Sequence, residues 1–362
     1  MKIVIFGLAI SSSWGNGHAT LWRGLCNALG KHSHHVVFFE RDAPYYAEHR
    51  DLTEIPGGRL VIYPKWDTVS GYAKKELADA DVAIVTSFCP DGRAASELSL
   101  SSQALHVYYD LDTPVTLDAF NTGKPIRSIG PRGLRDFDLV LSYTGGRAVA
   151  ELKQKLGARR VVPLYGSVDP EVHRPAAAIE RFRSDLSYLG TYAEDRQSRL
   201  DELLLEPARR LPENGFLIGG PLYPPTFPWK RNISYIQHVA PHEHSPFYCS
   251  SRLTLNITRS TMAAMGYCPS GRLFEAAACG APILSDSWEG LDEFFEPGRD
   301  ILTASGAEDT INSLNLSDRE LDQIAKSARD RTLSEHTSEQ RSRQLETIFQ
   351  HARTSSGDLM EV

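Results

Sequence analysis

The chain is predicted to be an α/β protein built from two Rossmann-like halves, and three observations carry that prediction. Short apolar runs alternate with helical patterns up to about Leu164, and the same alternation resumes after residue 184. Between the two lies a polar stretch, Gly166–Ser184, carrying Pro170 and Pro175. The length of 362 residues is enough for two domains, each with its own core. Alternation of strand and helix implies parallel, doubly wound sheets, which bind ligands at the carboxyl ends of their strands.

Lys2–Leu8 is an apolar run that Ser11-Ser12-Ser13 soon interrupts, without a convincing cleavage site, so it reads as a buried first strand and not as a signal peptide. Further strands are expected at His35–Glu40, Arg59–Tyr63, Asp81–Thr86, Ala104–Tyr109, Asp138–Ser142 and Arg160–Leu164. Helical patterns cover Ala19–Gly30 and Arg147–Leu156. Residues 1–165 therefore form the N-terminal domain, and residues 166–184 the linker. The C-terminal domain, 185–336, is expected to place strands near Leu186–Leu189, Gly215–Ile218, Ser234–Gln237, Leu253–Asn256 and Pro282–Ser285. Its helices are expected at Glu194–Arg210, Glu243–Ser250 and Arg272–Cys279. From Asp318 to about Ala352 the pattern is mainly helical, with Leu345, Ile348 and Phe349 on one face. Residues 354–362 are expected to be a frayed tail.

Bulk properties exclude several classes. A hydrophobic content of 41% and a charged content of 23% are ordinary for a globular protein. A net charge of −7 argues against general nucleic-acid binding or a polybasic membrane surface. No stretch approaches the ~20 apolar residues needed to span a bilayer. The five cysteines are scattered and form no C-x-x-C, so reduced thiols in the cytoplasm are expected.

The densest chemical signal is Ser270-Gly271-Arg272-Leu273-Phe274-Glu275-Ala276-Ala277-Ala278-Cys279-Gly280-Ala281-Pro282. Ser270 suits an N-cap, Gly280 a helix stop, and Pro282 bars continuation. Free N–H groups at such a helix start favour an anion, and the Arg272 fork matches phosphate oxygens. Glu275, one turn on, suits the hydroxyls of a ribose. A nucleotide diphosphate satisfies all of these groups.

This segment resembles the donor-nucleotide helix of GT-B glycosyltransferases, and with Arg259, Pro269, Arg272 and Asp286 it is most similar to the CgeB-like (spore maturation) branch. The resemblance extends to Ser13-Trp14-Gly15-Asn16-Gly17-His18 after the first strand. It implies an N-terminal acceptor-side domain, a C-terminal donor domain, a cleft that closes to exclude water, and residues 337–353 returning to the N-terminal domain. It also implies a metal-independent transfer of sugar from a nucleotide-diphosphate sugar, with no further cofactor and no metal ligands.

Gly15 and Gly17 would let backbone approach the sugar or acceptor, and His18 would act as general base or position substrate. Asp110-Leu111-Asp112 is formally Asp-x-Asp, but Asp112 is expected to line the cleft or cap the next turn. Gly190, Tyr192 and Gly219 are donor-side candidates, as are Arg259 and Ser270. Arg259 could instead pair with the acidic segment 286–296. His242-Glu243-His244 resembles a metal pair but reads as a solvated helix start. His32-Ser33-His34-His35 reads as a polar loop. One departure from the family is Tyr267, which occupies the first position of the Glu-x7-Glu pattern whose second position is Glu275, so the stereochemical outcome does not carry over. Trp288 is expected to line the sugar pocket instead. Alternative activities on the same fold are a nucleotide-sugar epimerase or hydrolase, or a non-enzymatic sugar-nucleotide-binding protein.

Overall fold

The apolar runs become, in a computed structural model describing residues 1–357, two separate parallel sheets. Seven strands form the first: β1 (Lys2–Gly7), β2 (His35–Arg41), β3 (Arg59–Tyr63), β4 (Val82–Thr86), β5 (Leu105–Asp110), β6 (Leu139–Ser142) and β7 (Val161–Pro163). Their order is β3-β2-β1-β4-β5-β6-β7, so the winding reverses between β1 and β4. Val4 pairs with Val37 on one side and Ala83 on the other. Ile3, Val4, Ile5 and Phe6 are all fully buried, which explains why the strand reads as a continuous apolar run without alternation.

The second sheet has six strands: β8 (Ser184–Leu189), β9 (Phe216–Gly219), β10 (Ile233–Ile236), β11 (Ser251–Asn256), β12 (Ile283–Asp286) and β13 (Leu302–Ala304). Their order is β10-β9-β8-β11-β12-β13, with the reversal between β8 and β11. In open α/β sheets ligands bind at such switch points, outside the carboxyl ends of the strands.

The chain divides into two compact units, Met1–Tyr165 together with the segment from Ser338, and Gly166–Thr337. The helix Ser338–Gly357 puts Leu345, Ile348 and Phe349 into the core of the first unit beside Trp22, Leu25 and Leu29. Thr354, the first residue of the expected tail, lies within that helix. The Thr354 hydroxyl donates to the carbonyls of Gln350 and His351, and Ala352 is buried one turn earlier. The remainder of the expected tail, Asp358–Val362, lies outside the described residues.

Three expectations need correction. Residues 166–184 group with the second unit instead of forming a separate linker, because Val168 bridges to Thr337 and the Ser245 hydroxyl binds on both sides of His173. Glu194–Arg210 is not one uniform helix. A 3₁₀ turn at Glu194–Arg196 leads into a helix whose Asp201–Leu205 stretch is π-wound just ahead of Pro207, which has no N–H to give the preceding turn. β13 was missed because three residues carry no readable period. No helix among the described residues is long and apolar enough to cross a membrane.

Candidate functional site

Each unit gathers polar side chains at the carboxyl ends of its strands. In the first, a buried carboxylate shapes the loop after β1. Glu40 accepts hydrogen bonds from the N–H of Ile10 at 2.7 Å and of Ser11 at 2.9 Å, and from the Ser11 hydroxyl at 2.5 Å. Gly15 then turns the chain at φ +57°, and Asn16 caps the helix Gly17–Lys31 by accepting from the His18 N–H at 3.1 Å. Gly17 has open space around its Cα, so nothing steric demands glycine there.

The cap delivers His18 to Asp112, which follows β5. His18 Nε2 donates to Asp112 Oδ2 at 2.7 Å. A carboxylate only accepts, so a neutral imidazole keeps its lone pair on Nδ1, which is buried and has no partner. Both side chains are mostly buried, and Phe88 of the loop after β4 lies edge-on to the imidazole at 6.1 Å. Asp112 opens the helix Thr113–Asn121 without a side-chain cap, so the expected capping role is replaced by the pairing with His18. Asp110, the other carboxylate of the Asp-x-Asp, is fully buried. Burial pushes its carboxyl up to about 7, opposed by a hydrogen bond from Thr116.

In the second unit the helix Gly271–Ala278 starts at the switch point. Gly280, at φ +74°, ends it, and Ala281 N–H closes back to Ala276 O at 3.1 Å. Ser270 occupies the N-cap position in extended conformation but makes no side-chain cap bond; the Leu273 N–H turns back to Ser270 O at 3.1 Å, so the cap leaves the N–H groups of Gly271 and Arg272 uncovered. Arg272 spans both strands flanking the switch point. Its Nε donates to Leu189 O of β8 and its Nη1 to Asn256 Oδ1 of β11 at 2.7 Å, with Cζ 5.0 Å above the Tyr188 ring. Nη2 remains for a ligand. A Cβ on Gly190 would sit 2.8 Å from that Nη2 and 2.7 Å from the Tyr188 hydroxyl, so a side chain there would have to displace the ends of Arg272 and Tyr188.

The other donor-side candidates divide by position. Arg196 Nη1 binds Thr191 O at 3.1 Å and its Nε is buried without a partner, which directs a second guanidinium to the loop after β8. Tyr192 packs against Tyr223 and Phe227 in an aromatic cluster. Gly219 is a packing position, where a Cβ would meet Val239 at 2.9 Å. Arg259 pairs with Asp195 at 3.2 Å, not with the 286–296 segment. Asp286 is buried and instead ties the loop after β11, accepting from Thr258 N–H at 3.0 Å and its hydroxyl at 2.9 Å. Trp288 is 7% exposed and packs against Phe294, so its indole belongs to the core and lines no open sugar pocket. Tyr267 sits at φ +49° in close packing with Gly290, and its N–H donates to Glu289 O at 2.7 Å.

Glu275 is largely buried and accepts from the Tyr248 hydroxyl at 3.3 Å. Tyr188, Asn256 and Phe88 were missed by sequence reasoning, because a strand residue or loop aromatic carries no motif of its own. A hollow of about 810 Å³ lined by Ser184, Gly215, Ser251 and Pro282 lies at the amino ends of the second sheet, with Tyr248 also in its wall.

Residues 196–347 match a family described as glycosyl transferase-like. No curated protein matches the chain by sequence. Among solved structures, the chain is similar to a sucrose-phosphate synthase from Thermosynechococcus elongatus, at 13% identity and TM-score 0.70, over 98% of this chain and 99% of that one. It is also similar to Anabaena HepE in complex with UDP and glucose, at 11% identity and TM-score 0.67, over 97% and 100% of the two chains. An alpha-glucosyltransferase in complex with UDP gives 13% identity and TM-score 0.72 over 97% and 100%. Identities this low speak to architecture alone. With two parallel Rossmann-like sheets and a glycosyl transferase-like segment over residues 196–347, the chain has the GT-B fold.

Proposed function

We propose that the protein is a cytoplasmic glycosyltransferase of the CgeB-like branch, which moves a sugar from a nucleotide-diphosphate sugar to an acceptor. The observation that carries this reading is Arg272, locked across β8 and β11 at the switch point with Nη2 free, beside the uncapped start of Gly271–Ala278. Two neighbours in structure hold UDP, which supports a uridine diphosphate sugar as the first donor to try.

In this mechanism the leaving diphosphate gathers negative charge as the glycosidic bond breaks. Arg272, Arg196 and the helix N–H groups are fixed donors for that charge, and fixed donors need no reorganisation during the step. No cation is then required at the diphosphate. Glu275 accepts from the ribose. His18, with its Nε2 proton held by Asp112, takes the acceptor proton on Nδ1. Arg259, Ser270 and Gly190 shape the surroundings of the donor groups in the second unit, and Gly15 those of His18 in the first.

The test incubates the protein with UDP-sugars and an acceptor panel and follows UDP release with and without added Mg²⁺ or Mn²⁺. Release that rises with acceptor and ignores added cation is expected. His18→Ala should lower kcat by roughly 10²–10⁴-fold while donor Kd stays nearly constant. Conversion of donor without acceptor would return the epimerase or hydrolase reading, and strict dependence on Mn²⁺ would overturn the arginine-based neutralisation.

A further inference from the structure

Three segments of the second unit converge on a pair of imidazoles that the mechanism does not use. His173 belongs to the stretch expected as linker, His244 begins the helix His244–Cys249, and Glu275 comes from Gly271–Ala278. One ligand atom from each side chain lies within 4.8 Å of the other two, and His244 Nδ1 is 4.0 Å from Glu275 Oε2. Ser245 holds the register. Its hydroxyl donates to Val172 O at 3.0 Å and accepts from Arg174 N–H at 3.3 Å, clamping the backbone on both sides of His173.

The polar balance of this cluster is incomplete. His173 is 2% exposed, and neither of its ring nitrogens has a partner. A neutral imidazole carries one N–H and one lone pair, and leaving both buried and unpaired costs free energy. The His244 side chain keeps 13% of its surface exposed, but its Nδ1 is buried. Its Nε2 faces Val239 O at 3.3 Å, and a carbonyl only accepts, so the proton sits on Nε2 and the lone pair on Nδ1 points among His173 and Glu275 without a partner. Metal-bound histidines commonly make this bond from the second nitrogen to a backbone carbonyl. The Tyr248 hydroxyl, donating to Glu275 Oε2, orients the carboxylate.

We propose that His173, His244 and Glu275 bind one divalent ion of the zinc type, as a three-ligand site with a fourth position left for water. Two imidazoles and a carboxylate are ligands of the right kind, and zinc bonds of ~2.0–2.2 Å place tetrahedral ligand atoms ~3.3 Å apart. Small side-chain rotations bring the three groups to that spacing. The ion fixes Glu275 and pins the 166–184 segment onto the second unit. It does not touch the diphosphate, and it stands whether or not Glu275 meets a ribose. The other convergence of such groups among the described residues, His32, His34 and Glu346, is different in kind. There both His32 nitrogens already bind carboxylates, at 2.5 Å and 2.6 Å.

The test strips the full chain of metal with a strong chelator and titrates Co²⁺, which absorbs visibly when four-coordinate. One equivalent per chain with a saturable band is expected, displaced by Zn²⁺. His173→Phe and His244→Phe keep an aromatic ring without a ligating nitrogen. Loss of an outer-shell partner alone weakens such sites ~10–100-fold, so each variant should weaken Co²⁺ by at least that, with circular dichroism unchanged. The double variant His32→Ala/His34→Ala should keep the band. Absence of a saturable band in the wild-type protein, as expected if ordered water alone fills the site, overturns the proposal. So does a band that survives both phenylalanine variants or disappears only in the double variant.

Discussion

Arg272 and Glu275 sit one turn apart on the same short helix, yet they are held by different neighbours and should fail differently. Arg272 is anchored by Leu189 O and Asn256, with Nη2 left over, whereas Glu275 takes the Tyr248 hydroxyl. Arg272→Ala removes a charged donor and is expected to weaken UDP far more than uridine, by ~1.5–3 kcal/mol, or roughly ten- to a hundred-fold. Glu275→Gln keeps the volume but loses the charged acceptor, so uridine itself should bind more weakly. Calorimetric titration of uridine, UMP and UDP into both variants separates the two. Equal losses for every ligand in both variants would point to a damaged helix instead of two distinct contacts.

At the scale of elements, the helix Ser338–Gly357 is joined to the first unit by more than its apolar face. His32 donates from Nδ1 to Glu346 at 2.5 Å and from Nε2 to Glu339 at 2.6 Å, and His34 Nε2 adds a bond to Glu346 at 2.9 Å. Two donating nitrogens make His32 an imidazolium, and the hydrogen bonds to Glu346 and then Glu339 raise its pKa. A histidine raised in the folded state contributes stability that is complete below its unfolded pKa of ~6.5 and is lost as pH rises through the folded value. The carboxylates run the other way. Hydrogen bonding to His32 lowers Glu339, and for Glu346 the bonds from His32 and His34 outweigh burial. Their contribution is complete above ~4.5 and lost as pH falls through the lowered values. The clasp is therefore fullest between about pH 4.5 and 6.5. Amide exchange in Ser338–Gly357, corrected for intrinsic rate, should be slowest in that window and accelerate above it, and His32→Phe should remove the dependence. A pH-independent protection factor in the wild-type protein would show that the apolar face alone holds the helix.

For the whole molecule, the residues proposed to hold the nucleotide belong to Gly166–Thr337 and the His18–Asp112 pair to the first unit. A ligand that binds only the native state stabilises it by RT ln(1 + [L]/Kd), about 2.7 kcal/mol at a hundred-fold excess. UDP should therefore slow amide exchange around Gly190–Tyr192 and Gly271–Ala278. Protection confined to Met1–Tyr165 would place the donor in the other unit and sink the assignment.

The division between sequence and tertiary structure follows the range of the forces involved. The central strand Val82–Thr86 was legible because burial on both faces of a sheet writes a continuous apolar run, and the helix Arg147–Leu156 was legible to the residue because a helix face writes a period of 3.6. The Ser270–Pro282 motif was legible for a similar local reason, since N-cap position, glycine stop and proline are read within one helix. Long-range contacts were not legible. Nothing in the spacing of His18 and Asp112 pairs them across 94 positions, and only the order β1-β4-β5 brings their loops together. His244 read as a solvated helix start because its own neighbours are polar, while its burial comes from His173 and Glu275, which approach from distant segments. Trp288 read as a pocket wall because it follows a strand, and it became core because Phe294 folds back onto it. The sequence by itself determined most strands of the two sheets, several of their helices and the helix Gly271–Ala278, since these depend on near neighbours. The tertiary structure decided which polar groups meet, because the charge or lone pair of a buried side chain acquires its role only from the partners that topology delivers.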